Sequence, residues 1–226
     1  MQPTARAIVS AAADASPLAS HLIHETRIGG KPLLAYVFWH WKRPEVATTD
    51  YEDRQRGFHA ALGASPSPGF VGSFSLGVSN APWVASSEAY EDWYLVQDFS
   101  ALGLLNEAAV SSSRAEPHDV AAAVAAGGAG GLYGLRCGTA LRRPQYAHWF
   151  GKPEGMPYRE LFAQLAPVVD RVEGALWMRQ MVLGPAREFC LHTTLPVSML
   201  GHLGALVIPL RQTWLDLANK GMEPTR

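Results

Sequence analysis

The sequence lacks an excess of positive charge, a long apolar run and a set of cysteines. Its 226 residues contain 19 Lys and Arg against 20 Asp and Glu, so the formal net charge is −1. A chain without an overall positive field has no general attraction for nucleic acid or for an anionic membrane surface. No apolar run reaches the roughly 18 residues that a membrane span needs. We therefore expect neither nucleic acid nor membrane among the partners.

The two cysteines, Cys137 and Cys190, form no motif together. In a reducing compartment such residues stay as free thiols. The first twenty residues resemble a signal peptide poorly, because their apolar stretch is short and is interrupted by Asp14. We expect a cytoplasmic protein with a lead-in over residues 1–30.

One pattern occurs twice along the chain. The stretch "AYVFWHWKRPE" begins at Ala35 and "QYAHWFGKPE" begins at Gln145, and in each an apolar run ends in His-Trp before a basic residue, Pro and Glu. His40 and His148 are 108 residues apart. An offset of 107 residues links three further pairs: Tyr51 and Tyr158, Phe58 and Leu165, and Gly77 and Gly184. This near-constant spacing indicates an internal duplication.

Each copy is predicted to contain strand, helix, strand, strand, helix and strand, which is the order of a ferredoxin-like unit. One face of such a sheet is apolar and needs a cover, and two units in one chain can cover each other. We therefore predict an α+β fold of two tandem ferredoxin-like (βαββαβ) repeats, packed sheet to sheet as an α/β barrel. The repeats are expected over residues 31–140 and 141–215, followed by a tail over residues 216–226. Residues 127–131 are rich in glycine and are predicted as a flexible turn, and residues 206–221 as a strand entering a helix or as a helix from Pro209.

In its element order and duplication, the stretch over residues 32–214 resembles the dimeric α/β-barrel superfamily in a tandem, single-chain form. Chlorite dismutases, dye-decolourising peroxidases, antibiotic-biosynthesis monooxygenases and EthD-like proteins belong to this superfamily. The resemblance implies a pocket for a small hydrophobic molecule, either inside the barrel or between sheet and helices, and implies no single chemistry. No stretch matches the haem-ligating segment of the haem-binding members. Haem is thus one cofactor to consider, and the cofactor stays unassigned.

Candidate catalytic residues come from the repeated strands and the first helix. His40 and His148 occupy equivalent positions and could act as acid and base groups, or could be strand-end histidines bonded to backbone. Arg54 lies in the apolar stripe of the first helix, where the second copy has Leu161. It is either extended along the surface or placed to meet a ligand's negative charge.

Strand alternation gives candidate substrate-binding residues. The side that carries each histidine is the better candidate for a cavity wall, whereas Ala35 and Ala147 on the opposite side would suit packing against a helix. A cationic Arg on an otherwise apolar strand invites the same interpretation as Arg54. The predicted substrate-binding residues are Tyr36, Phe38, Tyr146, Phe150, Trp177 and Arg179.

A metal site made from His148, Cys190 and His192 is an alternative for the second half. Metal sites are usually marked by closer or more numerous ligands than this spacing offers, so the sequence favours no metal.

Two classes of function remain open. The first is an oxidoreductase of the monooxygenase or haem type that acts on a small apolar or aromatic molecule. The alternatives are a non-catalytic protein that binds such a molecule, and a structural or dimerisation module whose interior is filled by its own side chains. The sequence leaves open whether the protein is a monomer or a homo-oligomer.

Overall fold

The computed structural model describes residues 27–28, 31–140, 143–181 and 184–215. The predicted tail and most of the predicted lead-in, including the stretch compared with a signal peptide, lie outside the described residues. In the described part of the chain, no helix combines the length and the apolar character that crossing a membrane requires.

Two short strands, β1 (Arg27–Ile28) and β2 (Lys31–Pro32), pair as a small hairpin ahead of the main sheet. The first half then contains β3 (Leu34–Lys42), α1 (Thr48–Ala64), β4 (Phe70–Ser79), β5 (Glu88–Val96), α2 (Phe99–Ala109), a 3-10 turn (Ser112–Arg114), α3 (Ala115–Ala122) and β6 (Ala125–Gly138). The second half contains β7 (Tyr146–Phe150), α4 (Tyr158–Val172), β8 (Ala175–Arg179), β9 (Phe189–Thr193), a 3-10 turn (Ser198–Leu203), β10 (Leu206–Pro209) and β11 (Arg211–Leu215).

Nine of these strands form one antiparallel sheet in the order β10-β7-β9-β8-β6-β3-β5-β4-β11. Strands β10 and β11 lie at the two ends of this order, yet Leu210 alone separates them in the chain. One extended segment therefore pairs with β7 on one side and with β4 on the other, which nearly closes the sheet into a barrel. The architecture is thus α+β with a barrel-like sheet. The C-terminal segment continues as strand through Pro209, so the predicted helix start at that residue is wrong.

Aromatic side chains fill the inside of the barrel. Trp39, Trp93, Trp149 and Trp177 are fully buried there, and the ring centroids of Trp39 and Trp149 lie 5.8 Å apart. Alternation along β3 places Ala35 and its neighbours of the same parity on this inner face. Ala35, like Ala147 on β7, therefore belongs to the core inside the barrel, rather than packing against a helix as expected.

The glycine-rich residues 127–131 belong to β6, so their prediction as a turn is wrong. They pair with β3 in regular register. Their lack of side chains makes room for aromatic rings of β3, since a Cβ atom at Gly130 would lie 2.5 Å from the hydroxyl oxygen of Tyr36. A glycine here serves close packing between neighbouring strands, which is a known reason for glycine inside a strand.

Candidate functional site

A cavity of about 880 Å³ lies between the outer face of the first-half strands and helices α1, α2 and α3. Its lining is mostly apolar and aromatic. It includes Tyr36 and Phe38 from the sheet, and Phe58, Leu102 and Leu105 from the helices. Neither Lys nor Arg is among the lining residues. A cavity of this size and character is typical of sites for small organic molecules.

Two neighbouring strands carry the polar side chains of the cavity wall. In the β3–β5 register, Tyr36 lies opposite Tyr94 and Phe38 lies opposite Asp92. His40 follows on the same face of β3, because side chains two residues apart share a face. Asp92 and His40 are each only 1% exposed. The strands therefore hold a buried carboxylate and an imidazole side by side at the wall.

Three groups surround one oxygen of Asp92. The Oδ2 atom lies 3.0 Å from Nε2 of His40 and 3.1 Å from Nε2 of His59, and it accepts a 3.0 Å hydrogen bond from the hydroxyl of Tyr94. The two histidine contacts have ion-pair distances but not the alignment of hydrogen bonds. The Oδ1 atom is buried and has no hydrogen-bond partner among the described residues. Oδ2 thus has three close polar neighbours, whereas Oδ1 accepts no hydrogen bond from a described residue.

Each histidine is held at its second ring nitrogen as well. Nδ1 of His40 lies 2.5 Å from the hydroxyl oxygen of Tyr51, and Nδ1 of His59 lies 2.8 Å from the hydroxyl oxygen of Ser73. Tyr51 and His59 both come from the buried face of α1. This helix therefore fixes both imidazole rings against the carboxylate on β5.

The charge state of the cluster follows from its neighbours. Burial alone would raise the pKa of Asp92, but the charges of His40 and His59 outweigh it and hold that pKa well below its usual range. Burial, together with the nearby Asp92 carboxylate, raises the pKa of the Tyr94 hydroxyl well above its usual range. At neutral pH, Asp92 is therefore an anion and Tyr94 remains a hydrogen-bond donor.

Three of the residues predicted from the sequence line this cavity: Tyr36, Phe38 and His40. Arg54 lies outside it, on the half-exposed face of α1, where its Nε atom lies 3.0 Å from the Asp50 carboxylate one turn earlier. The strand pattern thus identified residues that line the cavity, whereas the predicted Arg54 pairs with Asp50 on the surface of α1.

The predicted residues of the second half do not line this cavity. Trp177 faces the inside of the barrel, and Phe150 belongs to the hydrophobic core between α4 and the sheet. The guanidinium of Arg179 donates to the carbonyl oxygens of Gly184 and Ala186 and so fixes a loop. Tyr146, at the start of β7, is partly exposed.

The second histidine has a different environment. His148 is fully buried, its Nε2 lies 3.1 Å from the hydroxyl oxygen of Thr193, and burial lowers the pKa of its ring. Cys190 and His192 point into the barrel, whereas His148 lies on the other face of the sheet. Across the described residues, no three His, Cys, Asp or Glu side chains meet in a way that could hold a metal ion. The alternative metal site is not formed.

The site residues predicted from the sequence do not include Asp92, His59 or Tyr94. A signal was present in each case. Asp92 alternates with Tyr90 and Tyr94 on one face of a strand that is otherwise rich in apolar residues, and charged residues are almost never buried without partners. His59 lies four residues after Gln55, on the buried stripe of the first helix. Reading buried polar positions together across strand and helix would have found this cluster.

The superfamily that the sequence resembles includes haem proteins, so haem is one candidate ligand for this cavity. Both ring nitrogens of His40 face protein partners, which leaves none for iron. His118, the second lining imidazole, is hydrogen-bonded to Asp119 at Nδ1, a bond that metal-ligating histidines also make and that does not exclude iron at Nε2. A haem also carries two propionates, which Arg and Lys side chains are suited to bind, and neither is among the described residues of the lining. The described lining therefore offers no side chains for the propionates.

The comparison with solved structures concerns the fold. A candidate monooxygenase from Fusobacterium nucleatum subsp. nucleatum is similar with a TM-score of 0.55 and 12% identity, over 82% of this chain and 94% of that one. The chain has an α+β-barrel fold. At this identity, the likeness shows the fold alone.

Two further structures are similar at lower scores. A candidate chlorite dismutase has a TM-score of 0.48 and 12% identity, over 81% of this chain and 96% of that one. An anthrone oxidase-like protein has a TM-score of 0.45 and 10% identity, over 81% and 94%. No protein-family model matches the sequence, and no curated protein matches it.

Proposed function

We propose that this protein is an oxidoreductase that binds a small, largely aromatic molecule in the cavity and removes a proton from it with Asp92. The observation that carries this proposal is a buried, charged carboxylate at the wall of an apolar cavity, with Oδ1 free of any described partner. Buried charges are costly, so a carboxylate kept ionised at a cavity wall is a candidate for chemistry.

His40 and His59 act through Asp92 in this proposal. Because both nitrogens of each ring are within 3.1 Å of a protein atom, neither ring has a nitrogen left for a substrate. They are positioning residues, and they keep the carboxylate charged. His40 thereby changes from the predicted acid and base group to a partner of that group.

The oxidative step follows from the deprotonation. Loss of a proton from an aromatic hydroxyl leaves an electron-rich anion. In a hydroquinone or aminophenol, this anion gives two electrons and its second O–H or N–H proton to dioxygen, which together with the first proton forms hydrogen peroxide and leaves the quinone or quinone imine. The fold likeness to a candidate monooxygenase is the reason to test dioxygen as the acceptor. No metal or haem is part of this proposal.

The test is dioxygen consumption in an oxygen electrode with a panel of hydroxylated and aminated aromatic compounds. Asp92→Asn should lower the rate by at least about 100-fold, the usual size of a general-base contribution. Asp53→Asn is the matched control, since Asp53 is 69% exposed on α1 and is paired with Arg56. An Asp92→Asn protein that melts cooperatively and keeps the full rate would contradict the assignment.

A binding protein without turnover is the second candidate, and the engaged ring nitrogens of both histidines favour it. In that case, aromatic compounds would bind in the cavity while dioxygen consumption stayed at the level of the buffer. Isothermal titration of the same panel separates the two functions.

We also propose that the two halves descend from one duplicated ferredoxin-like unit. The strand orders β6-β3-β5-β4 and β10-β7-β9-β8 correspond position by position, which supports the duplication. Superposition of these two strand sets checks it, because His40 should then fall on His148 and Tyr51 on Tyr158. If the two residues of either pair do not superpose, duplication of a ferredoxin-like unit with this alignment is refuted.

A further inference from the structure

We propose that the cavity selects uncharged aromatic ligands that carry a hydroxyl or amino donor for Oδ1 of Asp92, and that it rejects carboxylates and phosphates. This inference rests on the proposed function in placing the ligand in the cavity. It does not depend on turnover.

The donor requirement comes from the two unequal sides of the carboxylate. Oδ2 is already surrounded by His40, His59 and Tyr94, whereas Oδ1 accepts no hydrogen bond from any described residue. A buried carboxylate oxygen without a donor carries a desolvation penalty that a hydrogen bond relieves. Oδ1 has almost no accessible surface, so a ligand reaches it only when neighbouring side chains of the cavity wall move aside. A ligand O–H or N–H at Oδ1 then makes a charge-assisted hydrogen bond, which is stronger than a bond between neutral groups. An ether at the same position has no hydrogen to donate.

The exclusion of anions comes from the rest of the wall. No Lys or Arg among the described residues lines the cavity, and the Tyr94 hydroxyl already donates to Asp92. The side-chain amide of Gln55 donates to the carbonyl oxygen of Ala121. His118 is 35% exposed, and its Nδ1 is already hydrogen-bonded to the Asp119 carboxylate. A ligand carboxylate would therefore meet the Asp92 charge in an apolar surrounding with little to offset it.

The preference for an aromatic body comes from the rings around this carboxylate. Tyr36, Phe38, Phe58 and Tyr94 line the cavity, and Tyr36 and Tyr94 are stacked at 6.2 Å between ring centroids. Flat aromatic faces pack well against further rings in offset or edge-on geometry. A planar apolar ligand with one donor at its edge matches this wall.

Four naphthalenes that differ only in the substituent at position 1 test the proposal by isothermal titration at pH 7: 1-naphthol, 1-naphthylamine, 1-methoxynaphthalene and 1-naphthoate. We expect 1-naphthol and 1-naphthylamine to bind at least about 10-fold more tightly than 1-methoxynaphthalene, since a hydrogen bond to a charged group contributes this much. We expect 1-naphthoate to bind more weakly than the ether. Equal affinity for naphthol and ether, tighter binding of naphthoate, or no binding of any compound would each overturn the proposal.

Two variants connect the preference to the carboxylate. Asp92→Asn should reduce the ratio of naphthol to ether affinity toward one, while the exposed control Asp53→Asn should keep it. An unchanged ratio in a folded Asp92→Asn protein would overturn the assignment to Asp92. If that variant fails to fold, the four-compound comparison on the unaltered protein still decides.

The outcome is separable from that of the proposed oxidation. Donor-selective binding without dioxygen consumption would refute the oxidoreductase and leave this inference standing. Turnover of aromatic compounds that lack any O–H or N–H donor would refute this inference and leave the oxidoreductase standing.

Discussion

Glu91 offers a direct test of how the barrel interior is built. It precedes Asp92 in β5, so its side chain points to the opposite face, into the barrel, where it is fully buried. Its two carboxyl oxygens accept hydrogen bonds from the indole nitrogens of Trp39 at 2.9 Å and Trp93 at 3.3 Å. Burial raises the pKa of Glu91 to about 7, against the opposing effect of the two indole bonds.

The size and direction of the effect follow from this pKa. The rise from an ordinary value of 4.5 to about 7 corresponds to about 3 kcal/mol of unfolding free energy. Because the folded pKa is the higher one, the folded state holds its proton more tightly than the unfolded state. Stability from this group is therefore complete below pH 4.5, falls between pH 4.5 and 7, and is absent above pH 7. Glu91→Gln removes the ionisation and with it this slope.

Urea unfolding of the unaltered protein and of Glu91→Gln between pH 5 and 8 measures the effect. As the pH rises from 5 to 8, we expect the unfolding free energy of Glu91→Gln to increase by about 2–3 kcal/mol relative to that of the unaltered protein. Glu116→Gln, which removes an exposed carboxylate from α3, serves as the control and should show no such shift. Parallel pH profiles for the unaltered protein and Glu91→Gln would refute the reasoning.

Three further predictions concern the cavity and the residues outside it. Gly130→Ala should lower the unfolding free energy by about 1–3 kcal/mol and weaken 1-naphthol binding, because the added Cβ pushes the Tyr36 ring toward the cavity; unchanged urea unfolding and titration would contradict this. Arg54→Ala should change the unfolding free energy by no more than about 0.5 kcal/mol, since its pair with Asp50 is exposed to solvent, and should leave the titration unchanged. His148→Gln should cost about 1 kcal/mol in urea unfolding and leave dioxygen consumption intact; a lost rate would place His148 in the site.

The strands of the fold could be predicted well because their residues alternate or form continuous apolar runs. The expected apolar run from residue 33 to 41 corresponds to β3, and the histidine-bearing face of that strand does line the cavity. The glycine-rich start of β6 could not be recognised, since glycine is depleted in strands and its role depends on the rings of Tyr36 and Phe38. Those contacts are between distant parts of the chain.

The polar cluster was harder to predict, because its members come from separate elements. His40, His59 and Asp92 are contributed by β3, α1 and β5. His40 and His59 are 52 and 33 residues away from Asp92 in the sequence, and spacing alone does not bring them within about 3 Å of its carboxylate; the β3–β5 register and the packing of α1 do. Arg54 shows that a position near the apolar stripe of a helix does not by itself place a side chain in the core, since its guanidinium pairs with Asp50 on the half-exposed face of α1.

The two halves differ at the strand positions that line the first-half cavity. The register that sets Phe38 opposite Asp92 in the first half sets Tyr146 opposite Thr193 in the second. His148 accordingly meets a neutral hydroxyl where His40 meets a carboxylate.

Helices α2 and α3 form much of the cavity wall in the first half, whereas the second half has only the 3-10 turn Ser198–Leu203 at that point in the chain. There, α4 packs directly on the sheet through Leu161, Leu165 and Val169. A carboxylate under that apolar layer would have neither a second imidazole nor a ligand to offset its burial, so a threonine is the stable choice. The extra helical segment between β5 and β6 and the charge at Asp92 therefore belong together. The helical segment forms the outer wall of the cavity beside the strands, and Asp92 provides a charged hydrogen-bond acceptor at its inner wall.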